Sequence, residues 1–174
     1  MRNLRALIFS VLFIQLSCNQ HESREYIQKL DNPELFQSVM QNLTDIVVYD
    51  IFSPPVASRV YLYPTIAAYE IIAAHQPESF NSLAGQVKDL YEIPKSDNKA
   101  IIPNLAALFS FNSVGKKLIF SQDKMESFEN EFYQKLVEYN VPKNVIKASK
   151  SYGEEVAQFI LEWASKDMYS QTRT

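Results

Sequence analysis

Two histidines, one cysteine and a handful of charged residues set in apolar stretches are the groups in this 174-residue chain that could do chemistry. His21 and His75 stand apart, and neither has a second ligand at metal-binding spacing. Cys18 is the single cysteine, so the sequence offers neither an internal disulfide nor a cysteine metal site. No Gly-x-Ser-x-Gly elbow is present, and a Cys–His nucleophile pair does not fit a cysteine so near the N-terminus. With only 3 glycines the chain has no phosphate-cradling loop and no dinucleotide fingerprint. Glu154 and Glu155 are adjacent. On a helix they point about 100° apart and cannot share one acid–base site, so they read as a solvated face. Asp50, Arg59 and Glu70 remain, as charges inside apolar surroundings. Arg59 and Glu70 lie on roughly one helix face but about 16 Å apart along the axis, too far to pair. Each therefore needs another partner, because an unpaired buried charge is costly. Asp50 is the expected partner of Arg59, in a staple that fixes the angle between two helices.

Those three residues belong to the stretch from Asp45 to Ala74, which organises the reading of the rest. It is the end of one helix, a Ser53-Pro54-Pro55 elbow and a long apolar helix. Ser53 suits the N-cap and Pro54 the first helical position, where a missing N–H costs nothing. Pro55 sharpens the break from the preceding helix. Val56, Val60, Tyr63, Ala67, Ile71 and Ala74 recur at helical spacing, and the opposite face is apolar too. Such a helix belongs in the centre of a helical assembly. Arg59, Pro64 and Glu70 argue against a membrane span, and Pro64 predicts a kink.

The other elements follow the same periodicity. Pro33 and Glu34 start a helix carrying Leu35, Val39, Leu43 and Ile46 on one side. Asn42-Leu43-Thr44 matches a glycosylation acceptor pattern but falls inside that helix, so it is read as chance. Residues 80–91 can form a short amphipathic helix on Phe80, Leu83, Val87 and Leu90. A helix over 100–119 places Leu105, Leu108, Phe109, Asn112, Gly115 and Ile119 on one face, with Gly115 expected to admit a close neighbour. Ser121 caps a helix with Met125, Phe128, Phe132, Leu136 and Tyr139 as its stripe, and Asn140 ends it. Pro142 opens the last helix, with a seam of Val145, Ala148, Tyr152, Val156, Phe159 and Trp163. No strand-type alternation and no internal repeat stands out. The expected fold class is all-α, a bundle of about six helices over 31–174.

The hydrophobic share of 47% and the aromatic share of 13% exclude disorder for the bulk of the chain. The net charge is −3, with no basic patch, so nucleic acid is not an expected partner. Residues 1–17 have the pattern of an export signal: Arg2 and Arg5, then an apolar run from Ala6 to Leu16 too short to span a bilayer. Cys18 falls at the cleavage position. Ile14-Gln15-Leu16-Ser17-Cys18 resembles a bacterial lipoprotein signal, although Gln15 departs from the usual aliphatic residue. The expectation is a lipid on Cys18, a tether over 18–30 that includes His21, and a protein held at the bacterial cell envelope by a membrane anchor.

The ordered series Ser53-Pro54-Pro55-Val56-Ala57-Ser58-Arg59-Val60-Tyr61, Ala67-Ala68-Tyr69-Glu70, Ser82-Leu83-Ala84-Gly85-Gln86, Val114-Gly115-Lys116, Ile119-Phe120-Ser121 and Tyr152-Gly153-Glu154 resembles the N-terminal helical part of bacterial vanadium-dependent haloperoxidase-like lipoproteins. Their superfamily is shared with type 2 phosphatidic acid phosphatases. The resemblance extends through Trp163 to Tyr169-Ser170-Gln171-Thr172-Arg173 and covers essentially residues 30–174. It implies an oxyanion pocket of the form Lys-x6-Arg-Pro, Pro-Ser-Gly-His and Ser-Arg-x5-His, where cations and N–H donors neutralise vanadate or phosphate. None of these motifs occurs here: Lys116-Lys117 lacks the Arg-Pro partner, and Arg173 is followed by Thr174. No catalytic, cofactor or metal residue is therefore assigned, and vanadate or phosphate is expected only for a longer protein. The resemblance implies a non-catalytic fragment whose partner is the missing C-terminal half of the fold, with homo-oligomerisation left open. The alternative is a stand-alone, envelope-anchored helical binding lipoprotein without enzyme activity.

Overall fold

The structure, a computed structural model, describes residues 25–168 and divides the chain into two compact units, 1–32 and 33–174. In the first unit residues 25–30 are helical, where the sequence suggested the end of a tether. Lys29 and Glu25, one turn apart, pair at 2.8 Å on its surface.

The second unit contains five α-helices and no named strand among the described residues. They are α1 (Pro33–Tyr49), α2 (Pro54–His75), α3 (Pro103–Leu118), α4 (Gln122–Glu138) and α5 (Lys143–Ala164), followed by a short 3-10 turn (Ser165–Asp167). The all-α expectation holds. Helix α1 buries Leu35, Val39, Leu43 and Ile46, the stripe its periodicity marks, and Val47 beside them. Helix α2 runs unbroken past Pro64, which is itself buried. No described helix is long and apolar enough to cross a membrane.

The hub of the unit is α3 rather than α2. Helices α2 and α5 pack most extensively on α3, and every residue from Leu105 to Asn112 is buried. The α3–α5 crossing is tight at Gly153. A Cβ there would come within 2.5 Å of the Ala106 carbonyl oxygen and 3.0 Å of the Ser110 nitrogen. The close approach expected at Gly115 is absent: a Cβ there would meet only the ends of Leu43 and Met125, at 3.4 and 3.5 Å. Ser149, also buried on α5, accepts the Ile102 N–H at 3.0 Å, which ties the start of α3 to the same crossing.

Helix ends follow local chemistry. Ser53 is the residue before α2, yet its side chain makes no capping bond. Pro54 and Pro55 carry no N–H, so two of the donors a cap would serve do not exist. The Ser53 carbonyl takes the Val56 and Ala57 N–H groups instead. Helix α1 closes with the Phe52 N–H on the Val47 carbonyl and the Ile51 N–H on the Val48 carbonyl, a Schellman arrangement. Its left-handed position is Ile51, at φ 55, where glycine or asparagine is usual. Helix α4 ends the same way, but with Asn140 at φ 57 in that position, as its sequence suggests.

Residues 80–91 are not helical. They form turns, with an isolated bridge between Ala84 and Val87. Gly85 and Asp89 adopt left-handed backbone at φ 75 and φ 58, which a helix cannot contain. Three distant groups hold this segment and its continuation: Glu70, Trp163, whose Nε1 donates to the Lys88 carbonyl at 3.1 Å, and Tyr152, whose hydroxyl donates to the Pro94 carbonyl at 3.0 Å.

Candidate functional site

Asp50, Arg59 and Glu70 serve three separate contacts. Asp50 does not pair with Arg59. Its carboxylate accepts from the Phe120 N–H at 2.8 Å, the Ser121 N–H at 3.1 Å and the Ser121 hydroxyl at 2.5 Å. It therefore joins the α1–α2 elbow to the α3–α4 turn, and the two backbone N–H groups it satisfies there explain the preference. Arg59 turns instead to the 3-10 turn after α5, where its Nε lies 3.4 Å from Asp167. Tyr63, one helical turn further along α2, donates its hydroxyl to the same carboxylate. Glu70 is 1% exposed; it accepts the Ser82 hydroxyl at 2.6 Å and the Leu83 N–H at 2.7 Å, and so latches the 80s segment onto α2. His75 packs edge-on against Tyr152, with Nδ1 2.8 Å from the Ile71 carbonyl. Cys18 and His21 lie outside the described residues.

The side chains with the most chemistry gather elsewhere, in a cleft of about 360 Å³ over α3. Helices α4 and α5 both pack on α3 and hardly meet each other, which leaves a groove between them. Each helix supplies one stripe at helical spacing: Phe109, Asn112 and Lys116 from α3, Glu129, Phe132 and Tyr133 from α4, and Lys150, Glu154 and Ala157 from α5. Lys116 is clasped by Glu126 and Glu129, each at 3.1 Å. Lys150 lies over the Tyr133 ring at 5.2 Å and 3.7 Å from Glu154. Burial pulls the Lys116 ammonium down, but Glu129 and Glu126 outweigh it and hold the group above the ordinary lysine value. Lys150 is also held high, chiefly by its hydrogen bond with Tyr133 and against the effect of burial. At the floor Asn112 is 2% exposed, and neither its amide nitrogen nor its oxygen has a hydrogen-bond partner.

This donor set does not fit vanadate or phosphate. Lys116 and Lys150 are already matched by carboxylates, Glu129 and Glu154 would face the oxyanion and repel it, and the remaining lining cation among the described residues is the exposed Lys117. Among the described residues neither arginine nor histidine lines the cleft. Among the described residues no group of three or more His, Cys, Asp or Glu side chains could hold a metal ion. Sequence reasoning marked Asn112 only as sharing a face with Leu105 and Phe109. Its lack of a partner depends on how α4 and α5 diverge, which the sequence does not display.

The chain matches no protein-family model and no curated protein. Among solved structures it is similar to the crystal structure of a protein described as the first bacterial vanadium-dependent iodoperoxidase. The TM-score is 0.75 and the sequence identity 45% over 82% of this chain. The chain spans 34% of that protein's length. It is thus a haloperoxidase-like relative in sequence as well as in helical fold.

Proposed function

We propose that this haloperoxidase-like chain is the non-catalytic N-terminal helical portion of a larger envelope-anchored protein. The longer protein would oxidise halide with peroxide, or hydrolyse a phosphoester, at a vanadate or phosphate site built from residues beyond this chain. The observation that carries the reading is the asymmetry of coverage: 82% of this chain aligns with a vanadium-dependent protein of which it spans 34%. The chemistry of the α3–α4–α5 cleft supports it, because Lys116 and Lys150 there are matched by carboxylates that would repel an oxyanion. Cys18 would carry the lipid and hold the protein to the membrane. The chain would then serve as a scaffold, with Asp50, Glu70 and Asp167 each tying two distant segments together.

The second reading is a stand-alone helical binding lipoprotein. It is favoured by one observation, that α1 to α5 enclose a core of their own around α3. Intact mass of the native protein, captured from its source cells with an antibody to residues 33–168, separates the two. A mass far above 20.1 kDa, with downstream Lys-x6-Arg-Pro and Pro-Ser-Gly-His motifs, supports the enzyme portion. A mass close to that of residues 18–174 plus lipid removes it. Peroxidase or phosphatase turnover by the purified 174-residue chain would overturn the non-catalytic assignment.

A further inference from the structure

Asn112 poses a problem that the fold does not solve. It lies in the middle of α3, 2% exposed, and its carboxamide presents one donor-bearing nitrogen and one acceptor oxygen without a partner for either. Buried polar groups in folded proteins are almost always hydrogen-bonded, so an amide left with both ends bare calls for an explanation. Ser110 shares the condition but does not line the cleft; Asn112 does.

The surroundings restrict what could complete it. Lys116 is committed to Glu126 and Glu129, and Lys150 to Tyr133 and Glu154. Lys117 also lines the cleft, so Lys116, Lys117 and Lys150 stand beside Glu126, Glu129 and Glu154, and the formal charges of the rim balance. A carboxylate ligand would answer only the Asn112 nitrogen, and an ammonium only its oxygen. A group with donor and acceptor side by side answers both, and the common group of that form is another amide. Phe109, Phe132, Ala157 and Leu161 supply an apolar wall beside it. A volume of about 360 Å³ suits an amide with one modest apolar substituent, at the small end of ligand sites.

We propose that the groove between α4 and α5 is a binding site for an amide-bearing group, held by paired hydrogen bonds to the Asn112 carboxamide at its floor. The same chemistry has two sources: a free peptide-like or carboxamide ligand, or a backbone amide from a segment of a longer polypeptide. The second source rests on the functional reading above, and the first does not. Asn112 is 2% exposed, so entry requires the side chains around it to part.

The test follows the Asn112 side-chain NH2 signals by NMR in the 15N-labelled 174-residue chain, with N-acetyl-leucinamide as the probe. The expected result is a saturable shift of that pair, with binding at least tenfold weaker in Asn112→Leu. Should Asn112→Leu fail to fold, Asn112→Ala provides the same comparison, and the wild-type signal reports without any variant. The two sources separate in the native product from the source cells. A free-ligand site still responds to the probe there. A site filled by the protein's own segment shows the NH2 pair already shifted, protected from exchange and indifferent to the probe. A native product no longer than this chain removes the segment and the functional reading together, yet leaves the response of the 174-residue chain as the measure of the site. No shift in the wild-type chain, or a contact between the NH2 group and a trapped water, overturns the proposal.

Discussion

Gly153 and Gly115 sit on two of the packed helices, but only Gly153 is irreplaceable. A methyl group at Gly153 would run into the backbone of α3, 2.5 Å from the Ala106 oxygen, and backbone cannot give way as a side-chain end can. Gly153→Ala should therefore force α5 off α3 and cost about 3 kcal/mol, the upper range of overpacking. Gly115→Ala meets only the mobile ends of Leu43 and Met125 and gains about 1 kcal/mol of helix propensity, so it should be neutral or mildly stabilising. Paired denaturant unfolding curves check both, and equal effects would show that the α3–α5 crossing is looser than described. Ile51 gives a third test. A β-branched residue at φ 55 pays for left-handed backbone without being buried in return, since it is 88% exposed. Ile51→Gly should stabilise by on the order of 1 kcal/mol, read as a higher melting temperature. The Asn140 position shows the same cap with a residue suited to it, which is why the end of α4 was legible in the sequence and the geometry at Ile51 was not.

At the scale of elements, the helices were legible because each carries its own periodicity and end signals. The segments between them were not, because their shapes are set by partners far away in sequence. Residues 80–91 have a plausible helical stripe, yet Glu70, Trp163 and Tyr152 claim the segment and its continuation for other bonds. Asp50 looked like the partner of Arg59 because both flank the elbow; its actual partners are 70 and 71 residues away. The cleft was illegible for the same reason, although Asn112, Lys116 and Glu154 were each visible as residues. Glu70→Ala should therefore act locally. It removes the acceptor of the Leu83 N–H and the Ser82 hydroxyl, bonds to a charged group worth about 1.5–3 kcal/mol each. Hydrogen exchange should lose protection at Leu83 and its neighbours while α4 and α5 stay protected. Uniform loss across all helices would show that the latch is part of the global core. High pH should act on the elements as well. Lys116 and Lys150 are held above the ordinary lysine value by their partners, and burial, with help from Glu155, pushes the Tyr152 phenol up. For all three the folded state keeps the proton longer than the unfolded chain does. That stability is fully present below the ordinary values near 10 and is lost as pH rises through the raised folded ones. Melting temperature should fall above about pH 10, and Tyr152→Phe should flatten that fall.

At the scale of the whole molecule the question is which surfaces remain exposed in solution. Around the α1–α2 elbow Val48, Tyr49, Ile51 and Phe120 are all more than half exposed, and the Phe52 ring meets Phe120 at 4.9 Å, tilted by 31°. Val48 and Tyr49 end α1, and Asp50 ties the turn that carries Ile51 to the one that carries Phe120, so the group is a held surface rather than a frayed end. Large exposed apolar side chains gathered around one elbow mark a surface where more protein could pack. If the chain is part of a larger fold, the purified 174-residue chain should bind a hydrophobic dye and self-associate as concentration rises. Ile51→Asp with Phe120→Asp should suppress both without lowering the helix content, because neither side chain is in the core. In such a larger fold the same pair of changes should instead weaken the packing of the remainder and lower its melting temperature. Light scattering settles the first half. A wild-type chain that stays monomeric and dye-silent at high concentration would favour the self-contained binding module, whose core around α3 needs nothing further to cover it.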